Sequence, residues 1–464
     1  MATNNKLARS KQQRIKALAK SYDSYDFFNL LTGPEMLSTV EELLPECHRE
    51  RQFPPTETLS MFLAQAMNED RSCQKAVNDA AVKRIVGGLS PCSTMTGGYC
   101  QARQRLPMDM VSTLVRFTGE KMNEQVPDHW RWHGKRVYLI DGTTVTLPDT
   151  AANQATFPQQ GGQKPGLGFP ISRIVGIICL SSGAIINAAL GKYSGKGSSE
   201  QDLLRTLLDT FKTGDLVMGD AFFGTYFLLA SLCARNIDAV FEQFGARKRM
   251  ADFRKGQHLG PKDHLVKLAR PKRKPDWMDQ EHYDSVPDTI TIRELKVKGK
   301  LLITTLLSSK AHPKHELKAL YKKRWHVEVD FRNIKTTLGM ETLSCKTPEM
   351  AEKEMWVYFL AYNLIRLLMA QSALIADILP RQLSFKHTVQ LWIAWCQQIQ
   401  SACIQSDCGA LFILIAQNRV GGRLGRIEPR AVKRRPKPFP LLMVKRENAR
   451  ERLEKYGHPK KLKA

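Results

Sequence analysis

"YKKRWHVEVDFRNIK", residues 321–335, is the stretch on which the reading of this chain turns. Strong helix formers surround four polar residues of unusual phase. At about 100° of rotation per residue, Tyr321, Arg324, Glu328 and Lys335 fall within an arc of roughly 60°. Leu320, Val327, Phe331, Ile334 and Leu338 form a second stripe roughly 80° away, the expected core side. An ordinary amphipathic helix sets its charges opposite the buried stripe. Here a glutamate and its cations run beside the seam, where an ionisable group is half out of water.

Two upstream aspartates stand in comparable places. "RVYLIDGTTVTL", from Arg136, reads as a strand, a turn at Asp141-Gly142 and a β-branched second strand. "DLVMGDAFFG", from Asp215, reads as an apolar strand ending at Asp220. A carboxylate after a hydrophobic strand is held rigidly at the sheet end, where α/β active sites are built. Asp-Gly also marks a plain turn, and that reading of Asp141 stays open. Ala-Phe-Phe after Asp220 makes a poor turn.

Together with Glu328 these are three carboxylates beside buried surface, and they repel unless cations neutralise them. Oxygen-rich sites of this kind suit Mg²⁺ or Mn²⁺. Two such ions about 4 Å apart serve in-line attack on a phosphodiester. Arg324 and Lys335 flank Glu328 and are placed to hold phosphates, and Tyr321 to donate to a further phosphate oxygen. The bland alternative is an i,i±4 pair of Glu328 with Arg324 or Arg332, worth ~0.5 kcal/mol.

The rest of the chain suits a polyanionic partner. Across 464 residues, 70 Lys and Arg face 45 Asp and Glu, a net charge of +25. That field favours nucleic acid or an acidic membrane surface. Ten cysteines without a CxxC pair read as reduced thiols of a cytoplasmic protein, against a disulfide frame or zinc site. The basic N-terminus lacks the apolar segment of a secretory signal. "WVYFLAYNLIRLLMAQSALIADIL", from Trp356, is long enough to span a bilayer, but Asn363 and Arg366 would sit near its centre. An arginine there costs ~2.5 kcal/mol or more, so a buried core helix is expected and no membrane partner.

Texture divides the chain into blocks. Residues 1–130 read as helices, either a DNA-reading module of helix-turn-helix type, with Arg103 and Arg105 on a short helix, or a plain bundle. Residues 131–235 are strand-rich, and 236–312 read as a β-rich insertion carrying the basic "LARPKRKPDW". Residues 313–372 hold the opening helix and the apolar one, and 373–464 form a helical and basic end with a possible dimerisation role. Beyond residue 420, fifteen Lys or Arg meet four Asp or Glu, a composition that packs poorly by itself.

Tyr, two residues, Arg, three residues, Glu, six residues, Lys resembles the signature of the insertion-sequence-four family of DDE transposases at all four positions. Asp141 in "IDGTT" and Asp220 in "GDAFFG" are similar to the family's other two catalytic motifs. The resemblance implies an α/β fold: a ribonuclease-H-like catalytic core interrupted by a β-rich insertion, with a helical N-terminal DNA-binding region. It implies Asp141, Asp220 and Glu328 as catalytic residues holding Mg²⁺, with Mn²⁺ as a substitute. It further implies binding to the terminal inverted repeats of an element, cleavage, and cut-and-paste joining of 3′-OH ends to target DNA by a homodimer at the nucleoid. In the family the insertion supplies a tryptophan that stacks on a flipped base. Trp277 in "KPDWMD" lies in the right region, with an ordinary packing tryptophan as the alternative. A metal-dependent nuclease without strand transfer and a domesticated DNA-binding protein are the competing functions.

Overall fold

The computed structural model describes residues 53–420, apart from 91, 163, 165, 196, 244–250, 298 and 402–407, together with 38, 42–44 and 444–456. Its centre is one mixed sheet of nine strands: β1 (Val137–Thr146), β2 (Ile171–Cys179), β3 (Ile185–Lys192), β4 (Leu216–Met218), β5 (Asp238–Glu242), β6 (Gln257–Gly260), β7 (Asp263–Ala269), β8 (Thr289–Val297) and β9 (Lys300–Thr304). The strands lie in the order β3-β2-β1-β4-β5-β9-β8-β7-β6. β1, β4 and β5 run parallel; β2 and β3 fold back antiparallel on one side.

β1 corrects the sequence reading of its own segment. No turn interrupts it at Asp141-Gly142: the pairing with β2 continues through Asp141↔Gly176 and Gly142↔Val175. The β-branched residues Thr143, Thr144 and Val145 favour extended backbone on the far side, and that preference carries through the glycine. Alternation then sorts the side chains. Val137 and Leu139 enter one core, Tyr138 and Ile140 the other. Both faces are covered, so the strand reads as an unbroken apolar run.

The strands after residue 236 extend this same sheet. β5 stands parallel to β4, and β9 pairs antiparallel with β5 through Val240↔Thr304. β6 and β7 had no expectation from the sequence. Within the extension, buried Arg293 grips both carboxylate oxygens of Asp263, at 2.8 and 2.6 Å.

The N-terminal helices Pro55–Met67, Cys73–Val86, Gly97–Arg105 and Met108–Gln125 pack on one another, on β3 and on the long helix Pro348–Ile375. Met108–Gln125 lies so close to β3 that a side chain at Gly119 would meet the Ile185 carbonyl at 2.2 Å. Arg103 is not available to DNA. It is buried, its guanidinium 4.6 Å from the centre of the Phe62 ring. Arg105 remains exposed.

The apolar helix Pro348–Ile375 has the length and composition to cross a membrane, yet 89% of its most apolar window is buried inside the protein. Its polar residues are satisfied there. Asn363 accepts from the Ile185 amide at 2.9 Å and donates to the carbonyls of Ile185 and Val115 at 2.9 and 3.1 Å. Arg366 donates to Asp330 and, at 2.7 Å, to the Tyr362 hydroxyl.

Candidate active site

The opening stretch is helical throughout but not uniform. An α-helix Lys314–Lys322 passes through a 3₁₀ turn, Lys323–Trp325, into a second α-helix, His326–Arg332. A π turn, Asn333–Thr337, follows. The expected seam is real: Leu320, Val327, Phe331, Ile334 and Leu338 are all buried. The Phe331 ring meets β2 at Gly176, where a side chain would come within 3.1 Å of it. The tight 3₁₀ turn and the wide π turn bend the regular 100° phase on either side of Glu328. Glu328 and Lys335 still share one open cleft of about 320 Å³ with Asp141, Thr143 and Glu341.

Strand register sets the two aspartates level, though only Asp141 lines this cleft. Leu139 pairs with Met218 across parallel strands β1 and β4, and each aspartate lies two residues further on. Each carboxylate is fixed locally. Asp141 Oδ1 accepts from the Gly142 amide, and Asp220 Oδ1 from the Phe222 amide, both at 2.8 Å. Arg324 joins the set, with Nη2 2.8 Å from Glu328 Oε1 and Nη1 3.7 Å from Asp141 Oδ2. The i,i+4 pair of the bland reading is therefore present, but it stands among the carboxylates and not on a solvated face.

Burial pushes the Asp141 carboxyl up to about 6. The charges of Asp220 and Glu200 act in the same direction, against the Gly142 amide and Arg324. A donor set of hard carboxylate oxygens that repel one another fits a divalent cation. Among the described residues, no three His, Cys, Asp or Glu side chains are already closed into a metal-holding group. The fit is therefore one of chemistry: side chains must turn for the carboxylates to converge.

Comparison with known proteins shows the family. The transposase DDE domain family matches residues 132–364, a span holding all three carboxylates. The transposase InsG for insertion sequence element IS4, from Escherichia coli (strain K12), is 30% identical over 416 residues, covering 86% of this chain and 90% of InsG. The chain belongs to the IS4 family of DDE transposases. Among solved structures, a piggyBac transposase synaptic complex with hairpin DNA aligns over 85% of each chain, with a TM-score of 0.43 and 11% identity.

The remaining expected residues of the transposase lie at different depths. Tyr321 is buried, and its hydroxyl donates to the carbonyl of Gly219 at 3.3 Å. It braces the backbone directly before Asp220. Lys335 is half-buried on the cleft wall. Trp277 is 42% exposed, in the segment between β7 and the helix Gln280–Ser285. One face of its indole is covered by Arg205, whose guanidinium carbon lies 3.8 Å from the ring centre, and Phe227 meets it edge-on.

Three features escaped the sequence reading. Trp325, beside Arg324, is 61% exposed. Asp330, two residues after Glu328, is fully buried between Arg366 and Arg381, the latter at 2.9 Å. Glu200 stands next to β1 across Gly142. The only signal for Asp330 was its position on the buried side of a helix, and long-range arginine partners leave no spacing to read.

Proposed function

We propose that the transposase binds the terminal inverted repeats of its element and cuts and joins DNA at a ribonuclease-H-like centre of Asp141, Asp220 and Glu328. The observation that carries this reading is the parallel β1–β4 register, which sets Asp141 and Asp220 level, together with the cleft that Asp141 shares with Glu328. The strand order β3-β2-β1-β4-β5, with β2 antiparallel to β1, supports the ribonuclease-H-like assignment.

Asp141, Asp220 and Glu328 would hold the divalent cation, Mg²⁺ or Mn²⁺ in its place. Bound there, it lowers the cost of negative charge at the scissile phosphate and favours a deprotonated nucleophile. The chain's own groups do the rest. Lys335 on the cleft wall holds a phosphate, and Arg324 exchanges its carboxylate partners for one as DNA enters. Tyr321 keeps the Asp220 loop at its height. Water attacks phosphorus and the bond to the 3′ oxygen breaks. The freed 3′-OH then attacks target DNA, displacing a second 3′ oxygen. Two copies acting together on paired ends, in the cytoplasm at the nucleoid, complete the reading.

Asp141→Asn, Asp220→Asn and Glu328→Gln are each expected to abolish cleavage and leave binding of element ends nearly intact. Binding runs through cations elsewhere, whereas cation capture needs all three charges. Gel shift and a nicking assay with Mg²⁺ measure both. Cleavage above a few per cent in any variant removes that residue from the site.

A further inference from the structure

Glu200 opens the short helix Glu200–Arg205, which follows β3. Ser199 caps that helix in a reciprocal box with Asp202. Three further contacts fix its position. The carbonyl of Ser198 accepts from Arg173 on β2 at 2.7 Å. Leu203 lies over β3 at Gly191, where a side chain would meet it at 2.8 Å. Gln201 donates to the carbonyl of Phe222, whose amide in turn holds Asp220. The helix is thus tied to the loop that carries the second catalytic aspartate.

The glutamate side chain then crosses β1 at a single point. A β-carbon on Gly142 would stand 2.2 Å from its Cδ and 2.3 Å from its Oε1. Only a glycine leaves that space, and it follows Asp141 directly. By strand alternation Gly142 faces the core of Tyr138 and Ile140, opposite the face of Leu139 and Asp141. Glu200 therefore approaches the catalytic carboxylates from the other side of the sheet. It is half-buried; the Arg173 guanidinium favours its charge, and Asp220 opposes it. Asp141, Asp220 and Glu328 each accept a hydrogen bond from a neighbour. Among the described residues, the carboxylate of Glu200 has no hydrogen bond or ion pair at 4 Å or less. It is the one carboxylate of the group that can turn without breaking a bond.

We propose that Glu200 is a fourth acidic residue of the catalytic centre, holding the divalent cation together with Asp141 and Asp220 from the face opposite Glu328. This rests on the metal-centre reading given above. The atoms nearest the space at Gly142 are those of the Glu200 carboxyl, and a cation shared with Asp141 and Asp220 would relieve repulsion that Arg173 opposes without a direct bond.

Calorimetric titration of the full-length, metal-free protein with Mn²⁺ tests it, with no DNA and no turnover. Asp141→Asn serves as the control, and thermal melting in chelator reports folding. Glu200→Gln keeps the shape and removes the charge; it is expected to weaken Mn²⁺ binding about tenfold without lowering the melting point. Glu200→Asp, one methylene shorter, is expected to retain part of the affinity. Cleavage by Glu200→Gln at limiting Mn²⁺ should fall and recover as Mn²⁺ is raised. Should Glu200→Gln destabilise the chain, Gly142→Ala, which displaces the same carboxyl, is titrated in its place and is expected to lose affinity equally. Loss of Mn²⁺ affinity in Asp141→Asn but a change below about threefold in the Glu200 or Gly142 variant overturns the role of Glu200 alone. Unchanged affinity in Asp141→Asn as well overturns the metal centre itself.

Discussion

Asp141 carries an electrostatic cost to the fold, which the proposed cation would relieve. Its carboxyl is pushed up to about 6 by burial, with Asp220 and Glu200 adding repulsion. A folded-state value above the ordinary 3.8 means that stability is full below that range and is lost as pH rises through about 6. In chelator, Asp141→Asn is therefore expected to gain on the natural chain by about 1–3 kcal/mol between pH 4 and pH 7.5. Parallel denaturation curves at the two pH values measure it. A stability difference that does not change with pH would mean that the carboxyl is unstrained. Arg324 relieves part of this repulsion while DNA is absent, which places it to be handed over to a phosphate. Arg324→Ala and Lys335→Ala should each slow single-turnover cleavage on a pre-bound element end by roughly ten- to a thousandfold, since charge-assisted contacts are worth ~1.5–3 kcal/mol. Excess Mn²⁺ should rescue neither. Arg324→Lys should recover only part of the loss, because an ammonium lacks the planar two-point fork. Natural rates in both folded alanine variants would leave Arg324 and Lys335 without a part in cleavage.

At the scale of elements, the helix of Glu328 is held from behind. Asp330 is buried between Arg366 on the long apolar helix and Arg381 beyond it, and Arg381 also donates to the carbonyl of Cys179 at 3.0 Å. One carboxylate thus pins the helix of Glu328 to two other segments. Asp330→Ala would leave two buried guanidinium groups facing each other, so it should cost about 3–5 kcal/mol. Its melting point should fall, and cleavage should fall further than the reduced folded fraction explains, because Glu328 is one half-turn away. A variant that melts and cleaves like the natural chain would show the clamp to be dispensable. The π turn at Asn333–Thr337 belongs to the same scale. Its widened backbone carries the chain on to Glu341, which returns to β1 by accepting from the Thr146 amide at 3.1 Å.

Across the whole molecule, charge and topology have separate tasks. The positive field of +25 serves approach to DNA, whereas the sheet determines where the chemistry happens. Most of the basic tail lies outside the described residues. Its helix Arg446–Tyr456 is docked, with Arg446 stacked 5.0 Å from the Phe169 ring. Deleting the tail from Gly421 should lower the slope of log K against log salt by roughly 0.9 for each phosphate that the tail neutralises. Binding measured over a salt series tests this. An unchanged slope would assign the tail to folding or assembly.

What the sequence by itself determined was periodic or local. The buried stripe of the catalytic helix, the apolar strands leading to Asp141 and Asp220, and the choice of a core helix over a membrane span all followed from 3.6- and 2-residue repeats and the cost of burying charge. The spacing from Tyr321 to Lys335 carried the family. Only the tertiary structure decided the rest. An Asp-Gly pair reads as a turn because glycine permits one, but packing used Gly142 to admit Glu200 through a continuous strand. Tyr321 and Arg103 read as polar residues for DNA, and the fold spends them inside, on Gly219 and Phe62. Residues 236–312 read as a β-rich insertion, and only the structure shows that its strands join β4 through β5 in one sheet. Each of these depends on partners far apart in the chain, and pairings of that kind leave no period in the sequence for a local pattern to reveal.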